Sequence, residues 1–424
     1  MMYQNLSRAQ LLDLKNELTA EYEKYKAAGL KLDMSRGRPG KAQLDIALDI
    51  LDDKSCVSPS GFDCRNYGIL DGLPELKEVL AEAMRVPAAN IFIGENASLA
   101  LMYASISFAM LFGIGGSKPW GKYEKVKFLC PVPGYDRHFA ICEEMGIEMI
   151  NISTNENGPD MDTIEKMVAE DETIKGIWCV PKYSNPTGIT YSDETVKRFA
   201  ALKPAAKDFR IFWDNAYCIH ELYPDNPAQL LNLYDECVKN GTEDMPYIFF
   251  STSKITFAGG GVAAVAMSSA NLAEFKKHMG VRTIGADKMN QLRHLNFLKA
   301  NGGFDSIMRK HADLLRPRFE AVLDILDAEL ADTGIATWIR PAGGYFISFD
   351  TLPGCAKKVV AACRDLGVVL TGAGATYPYG RDPKDSNIRI APSSPSAEEL
   401  AQATKVLCLC TKLASVDALL ETAE

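Results

Sequence analysis

The chain reads as an α/β domain on a mainly parallel, seven-stranded sheet, joined to a smaller α+β module. Two observations predict this. Seven short β-branched or aromatic runs, at 91–93, 126–130, 147–152, 174–180, 209–213, 247–251 and 262–267, are interleaved with helical patterns at 97–112, 136–145, 160–169 and 192–203. Alternation of strands and helices over this length builds a parallel sheet covered on its faces. After residue 300 the texture changes to a long helical pattern over 303–331, strand-like stretches near 336–350, 367–371 and 387–391, and a terminal helix over 396–420. The 424 residues also exceed what one hydrophobic core usually serves. The expected division is a large domain over 61–300 and a small one made of 1–60 with 301–424.

The elements follow from local patterns. Ser7 and Gln10 stand at capping-box spacing, Leu11, Leu14, Leu18, Tyr22 and Tyr25 form one stripe, and Gly29 ends the first helix, expected over 7–28. A cationic loop follows, Ser35-Arg36-Gly37-Arg38-Pro39-Gly40, in which glycines and proline hold two arginines that can act as bidentate donors to a carboxylate or phosphate. A solvated basic turn would have the same composition. Pro74 opens another helix, with Leu76, Val79, Leu80 and Ala83 on its apolar face. Gly343-Gly344 interrupts the 336–350 stretch, and Ser396 with Glu399 caps the last helix.

Composition narrows the function classes. A formal net charge of −9 argues against a nucleic-acid-binding surface. The eleven cysteines are odd in number, scattered and without zinc-site spacing, which suits a reduced cytoplasmic protein. No basic segment followed by an apolar one opens the chain, so no secretory signal is expected. Ala97–Gly116 is a twenty-residue stretch without charge, but its serines, tyrosine and glycines favour a buried core helix over a membrane span.

Ligands of such sheets bind beyond the carboxyl ends of the strands, and four strand ends carry chemistry here. Gly94-Glu95-Asn96-Ala97-Ser98 leads into a helix whose free N–H groups could hold a phosphate, although Asn96 could equally be a simple cap. Pro181-Lys182-Tyr183-Ser184-Asn185-Pro186-Thr187-Gly188 is a rigid turn that fixes the Asn185 side chain at a strand mouth. Trp213-Asp214-Asn215-Ala216-Tyr217 puts a carboxylate at the end of an apolar strand, where it needs a cation or donor. An aspartate facing a pyridine nitrogen keeps that ring protonated, and Tyr217 could place its hydroxyl beside the same ring. The fourth end is Ser251-Thr252-Ser253-Lys254, after Tyr247-Ile248-Phe249-Phe250 and before Gly259-Gly260-Gly261. A desolvated lysine in such a position can hold an aldehyde cofactor as a Schiff base, whereas most lysines in polar loops are simply solvated.

Taken together and in order, Tyr67, Asn185-Pro186-Thr187-Gly188, Asp214-Asn215-Ala216-Tyr217, Ser251–Lys254 and Arg389 resemble the fold-type-I aminotransferases, which depend on pyridoxal 5′-phosphate (PLP). The Ser35–Gly40 loop, Pro131-Val132-Pro133-Gly134-Tyr135-Asp136-Arg137-His138 and Ser253-Lys254-Ile255-Thr256-Phe257 narrow the resemblance to bacterial aspartate aminotransferases called class Ic. The likeness runs over essentially the whole chain. It implies that Lys254 bonds PLP and shuttles the substrate proton, that Asp214 pairs with the pyridinium, and that Asn185 and Tyr217 hydrogen-bond the phenolate oxygen. Ser251, with Ser253 and the amides near Ala97 and Ser98, would hold the phosphate. Tyr67 would cross a homodimer interface to the partner's phosphate, and Arg389 would bind the substrate α-carboxylate.

Two departures stand out. Eight residues beyond the lysine, where the family carries a phosphate-binding arginine, this chain has Val262, and Ile255–Val265 contains no cation. Val132 occupies the position of the family's ring-stacking aromatic, which leaves Tyr135 or a neighbour as the substitute. The implied reaction is ping-pong transfer of an amino group between aspartate and 2-oxoglutarate. A dicarboxylate needs a second cation, for which Arg36 and Arg38, beside Gly37, and Lys288 or Arg293 are the candidates. Other PLP chemistries stay open on the same site: a β-lyase, a decarboxylase, or an aminotransferase for aromatic or 2-aminoadipate-type substrates. Aminotransferase-like transcription regulators are the alternative of another class. Against that reading, only about 30 residues precede the Ser35–Gly40 loop and the chain is acidic; the complete Lys254–Asp214–Asn185–Tyr217 set argues against a further alternative, a non-catalytic scaffold.

Overall fold

The computed structural model describes residues 2–422. Its large sheet has the spatial order Ile91–Ile93, Ala263–Ala266, Pro246–Ser251, Arg210–Asp214, Ile174–Cys179, Lys127–Val132, Glu148–Asn155 and Gly158–Pro159. The seven expected strands are all present, and the two-residue Gly158–Pro159 adds an eighth at the edge by pairing antiparallel with Glu148–Asn155. The four pairings among Pro246–Ser251, Arg210–Asp214, Ile174–Cys179, Lys127–Val132 and Glu148–Asn155 are parallel. Ala263–Ala266 runs antiparallel to Pro246–Ser251, and Ile91–Ile93 antiparallel to Ala263–Ala266. Two reversals restore direction, so Ile91–Ile93 ends on the same rim as the parallel strands. This is what gathers four separate strand ends into one place.

The central strands are buried along their whole length, as sheets covered by helices on both faces require. Ser98–Phe112 is the helix of the uncharged stretch. Among the described residues no helix is long and apolar enough to cross a membrane.

The second module contains an antiparallel sheet, Ala336–Trp338, Ile347–Thr351 and Asn387–Ile390, and a parallel pair of Leu32–Asp33 with Val368–Val369. The N-terminal helix Arg8–Ala28 has its Ser7–Gln10 capping box and ends at Gly29 in the left-handed region. It packs on Ala397–Thr422, which in turn packs on Gly303–Leu330. Tyr3, Leu11, Leu18 and Met34 share one core with apolar residues from Leu315 to Val416. Ala47 and Ile50 instead join the core of the large sheet, as do Phe304, Ile307 and Met308 from the first turns of Gly303–Leu330. The N-terminal arm and that long helix therefore each run from one core to the other.

Five α-helices of the described residues escape the periodicity reading: Lys41–Asp45, Leu233–Asn240, Ser269–Arg282, Lys288–Ala300 and Ala356–Asp365. In Lys288–Ala300 the buried face includes Lys288, Gln291 and His294, which blurs the apolar stripe.

Candidate active site

The turn Asn185–Gly188 follows Ile174–Cys179, Asp214 ends Arg210–Asp214, and Ser251–Lys254 closes Pro246–Ser251. These three strands are adjacent and parallel. The turn is fixed by Gly188 N–H to Ser184 O (2.6 Å) and Ser184 N–H to Ile189 O (2.9 Å). Gly188 has φ +70°, and a methyl group there would lie 2.6 Å from Pro341. Between these ends and the start of Ser98–Phe112 lies a cavity of about 190 Å³. Nine residues expected at the site line it: Ala97, Ser98, Tyr135, Asn185, Asp214, Tyr217, Ser251, Ser253 and Lys254. Another cavity, of about 520 Å³, includes Lys182 in its wall, whose ammonium is already satisfied by Glu221 and the Cys218 carbonyl. The smaller cavity is the one whose wall combines Lys254 with an unpartnered carboxylate oxygen, Asp214 Oδ1.

Lys254 is half-buried, its Nζ 4.9 Å from the centre of the Tyr217 ring and 5.8 Å from that of Tyr345. Burial lowers its proton affinity; the Asp214 carboxylate counteracts this and the Arg389 charge adds to it. Asp214 accepts a hydrogen bond from His138 Nε2 at 3.0 Å, while its Oδ1 is buried without a partner. His138 is itself held flat against Trp178, with ring centres 4.3 Å apart and planes within 8°. The motif reading missed this histidine. Its signal was the spacing from Tyr135, one helical turn away, and the two rings do meet edge-on at 4.9 Å.

Tyr135 lines the cavity, whereas Val132 is part of the core beneath the sheet. Burial raises the pKa of the Tyr135 and Tyr217 hydroxyls, so both are donors at neutral pH. The helix Ser98–Phe112 is capped by Ala97 with no side-chain bond, not by Asn96. Ala100 N–H bonds the Ala97 carbonyl at 3.1 Å, which leaves the N–H groups of Ser98 and Leu99 for a ligand. Ser253 Oγ touches the Asn96 carbonyl at 3.4 Å, which ties the lysine turn to that helix start. Val262 is buried, and its N–H bonds Thr252 Oγ1. The arginine position of the family thus faces the interior here.

Arg389 lies on Asn387–Ile390, its Nη1 2.8 Å from Asp136 and 3.3 Å from Asn185 Oδ1, and its Nε is buried without a partner. Its guanidinium stacks on Phe346 at 4.9 Å, and Gly37 packs so closely on Phe346 that a methyl group would come within 2.3 Å. This contact brings the Ser35–Gly40 loop to Arg389, with Arg36 and Arg38 exposed.

Arg389 and the Arg36–Arg38 loop do not line the cavity itself, and neither do Tyr67, Lys288 and Arg293. Tyr67 is 79% exposed. Lys288 is buried, with Nζ on the Ala286 carbonyl at 3.2 Å and burial lowering its pKa. Both border the Gly68–Gly285 contact, where a methyl group on Gly285 would lie 2.7 Å from Lys288 Nζ and 2.8 Å from the Gly68 carbonyl. Arg293 Nε bonds the Asp53 carbonyl instead.

A half-buried lysine, an unpartnered carboxylate oxygen and a helix start without a side-chain cap thus meet at one sheet rim. The sequence matches the family described as aspartate amino-transferase over residues 6–423. A putative aminotransferase of Mycolicibacterium smegmatis is 45% identical over 428 residues, covering 99% of each chain. An aspartate aminotransferase of Corynebacterium glutamicum is 42% identical over 405 residues, 95% of this chain and 93% of that one. The crystal structure of an aspartate transaminase from Corynebacterium glutamicum superposes with a TM-score of 0.96 at 40% identity, over 99% of both chains. The chain belongs to the aspartate aminotransferase family of fold-type-I enzymes and is an aminotransferase.

Proposed function

We propose that the chain moves an amino group between aspartate and 2-oxoglutarate on PLP, in two half-reactions, as a cytoplasmic homodimer. The observation that carries the cofactor reading is Asp214 Oδ1, a buried carboxylate oxygen without a partner on the wall that also bears Lys254. A protonated ring nitrogen supplies the donor this oxygen lacks. Asn185 and Tyr217 offer donors to a ring oxygen, and Ser251, Ser253 and the amides at Ala97 and Ser98 offer donors to a phosphate. All of the phosphate donors are neutral.

When bound, PLP supplies an electron-accepting ring that draws on the substrate's Cα–H bond. Lys254 Nζ, disposed by burial to lose its proton, takes that hydrogen and returns it. Asp214 Oδ1 would accept the hydrogen bond of the ring nitrogen. Arg389 grips the α-carboxylate through its free Nε edge. Arg36 and Arg38 stand nearby, through Gly37 and Phe346, for the second carboxylate of a dicarboxylate substrate.

Support for a homodimer comes from one exposed face. Val281 is 90% and Ile284 60% exposed, beside Tyr67 across the Gly68–Gly285 contact. Phe112, also exposed, stacks on His278 at 4.2 Å on the preceding turn of the same helix as Val281. Apolar surface of this kind suits a second copy of the chain, and Tyr67 and Lys288 would then border the partner's cavity. The eleven cysteines are all free, as in a reducing compartment.

The decisive experiment loads the protein with PLP and scores loss of its visible absorption against a panel of amino acids. Aspartate and glutamate should bleach it fastest, and 2-oxoglutarate should restore it. Preference for aromatic or monocarboxylic amino acids would overturn the substrate reading, and no visible band at all would overturn the cofactor reading.

A further inference from the structure

Three buried polar side chains take no part in the chemistry above: Gln43, His311 and Tyr345. They come from the N-terminal arm, the helix Gly303–Leu330 and the approach to Ile347–Thr351. Their hydrogen bonds form one branched path. The Gly40 N–H donates to Gln43 Oε1 at 3.1 Å, and Gln43 Nε2 is 2.9 Å from Tyr345 Oη and 3.2 Å from His311 Nδ1. Tyr345 Oη donates to the Lys254 carbonyl at 3.4 Å, and His311 Nε2 lies 2.9 Å from the Ile255 carbonyl.

The directions are forced by chemistry. A carbonyl only accepts, so His311 carries its proton on Nε2 and receives a hydrogen from Gln43 on Nδ1. The two hydrogens of Gln43 Nε2 are then divided between His311 and Tyr345, and Tyr345 spends its own on Lys254. The imidazole is neutral, in keeping with burial lowering its pKa against the opposing pull of the Ile255 carbonyl. Reversing any bond would leave two donors or two acceptors facing each other.

The path starts at the loop bearing Arg36 and Arg38 and ends on the backbone of the residue bearing the reactive amine. A second contact runs beside it. Tyr345 reaches the Lys254 carbonyl, while its neighbour Phe346 lies between Gly37 and the Arg389 guanidinium. One dipeptide thus touches the loop, the lysine and the carboxylate-binding arginine.

We propose that Gln43, His311 and Tyr345 are positioning residues that lock the Ser35–Gly40 loop to the Lys254 backbone. Seating of a substrate's distal carboxylate on that loop and placement of the amine are then one event. The proposal rests on the roles given above to Lys254 and to the loop.

The test uses the full chain with Gln43→Leu, which cuts the path at its branch, and Tyr345→Phe, which removes one hydroxyl and keeps the ring. Thr404→Val, a buried hydroxyl in the small-domain core bonded only to Leu400 O, is the stability control. Two measurements accompany Tm. The first is the rate of tryptic cleavage after Arg36 and Lys41; Arg38 precedes proline and resists. The second is the pH midpoint of the visible absorption of the PLP-loaded protein. That midpoint reports the Lys254 nitrogen as bonded to PLP, in surroundings that include Asp214, Arg389, His220 and the rings of Tyr217 and Tyr345.

Gln43→Leu should be cleaved at least tenfold faster than wild type. Tyr345→Phe should raise the midpoint by half a pH unit or more, because a loosened Lys254 nitrogen escapes part of its burial. Should Gln43→Leu not fold, Tyr345→Phe carries both measurements. Cleavage rates and midpoints at wild-type values, with Tm lowered as in Thr404→Val, would overturn the proposal. A wild-type protein without a visible band would instead sink the cofactor reading, and the cleavage rates would still decide whether the loop is anchored.

Discussion

Asp214 and His138 form a buried pair, Oδ2 to Nε2 at 3.0 Å, that uses one carboxylate oxygen and leaves the other unpaired. The stack of His138 on Trp178 fixes the imidazole, and the imidazole fixes the carboxylate. Asp214 is thus aimed before any ligand arrives.

This arrangement makes the aspartate charge, more than its shape, the element that matters. Asp214→Asn is nearly isosteric and keeps an acceptor, yet it removes the charge that holds a ring nitrogen protonated. We expect kcat to fall on the order of 10²–10³-fold, the usual cost of losing one preorganised electrostatic group, while Tm changes little. His138→Leu should give a smaller loss of kcat and a larger loss of PLP affinity, because Asp214 is then free to rotate. Equal kcat in wild type and Asp214→Asn would exclude the ring-nitrogen role.

Lys254 predicts a dependence of stability on pH. Its pKa is lowered in the folded state, chiefly by burial. Between that lowered value and the ordinary lysine value near ~10.4 the unfolded chain binds more protons, so stability rises with pH across this window. Below the window the lysine is charged in both states, and the full cost of burying that charge is felt. Lys254→Met should therefore raise Tm of the cofactor-free protein at neutral pH, and the gain should shrink as pH approaches 10. A gain that does not vary with pH would mean that the lysine is solvated. The same variant should lose transamination entirely while keeping its fold.

The strand ends were legible because each chemistry-bearing residue follows a short apolar run that cannot be anything but a buried strand. Asp214 after Ile211-Phe212-Trp213 is the clearest case. His138 was harder to see, since its partner stands 76 positions away and a lone histidine near a helix start has no pattern. Gln43, His311 and Tyr345 were invisible for the same reason: Gln43 and His311 are 268 positions apart. The helices Ser269–Arg282 and Lys288–Ala300 bury polar residues such as Asn271 and His294, so hydrophobic periodicity did not mark them. The role of Tyr67 cannot be read within one chain, because its side chain points out of the fold.

The cationic loop predicts a specificity split. Arg36 and Arg38 are exposed and form no ion pair among the described residues, while Gly37 ties their loop to Phe346 and Arg389. Replacing the arginine that meets a distal carboxylate should raise KM for aspartate by roughly 10–100-fold, the cost of a lost charge-assisted contact. KM for alanine or an aromatic amino acid should change little. Arg36→Ala and Arg38→Ala, assayed on the three substrates, decide which arginine it is; equal effects on all three would remove both from specificity. Gly37→Ala should disturb every substrate, because the added methyl displaces Phe346 from beneath Arg389.

The exposed Tyr67 leads to a complementation experiment. If its hydroxyl serves the partner's phosphate, a site needs Lys254 from one chain and Tyr67 from the other. Tyr67→Ala alone should weaken PLP binding, and Lys254→Ala alone should be inactive. Mixed by refolding or co-expression, the two variants form hybrids in which one site has Lys254 from the first chain and Tyr67 from the second. That site is intact, so hybrids should recover PLP affinity at half of the sites, together with the matching share of activity. If Tyr67 acts within its own chain, every site in the hybrid lacks one of the two residues and nothing is recovered. The same preparations, run on a sizing column, report whether the face of Tyr67, Val281 and Ile284 pairs two copies: Val281→Asp with Ile284→Asp should shift a dimer to monomer, and a mass unchanged by these charges would place the interface elsewhere.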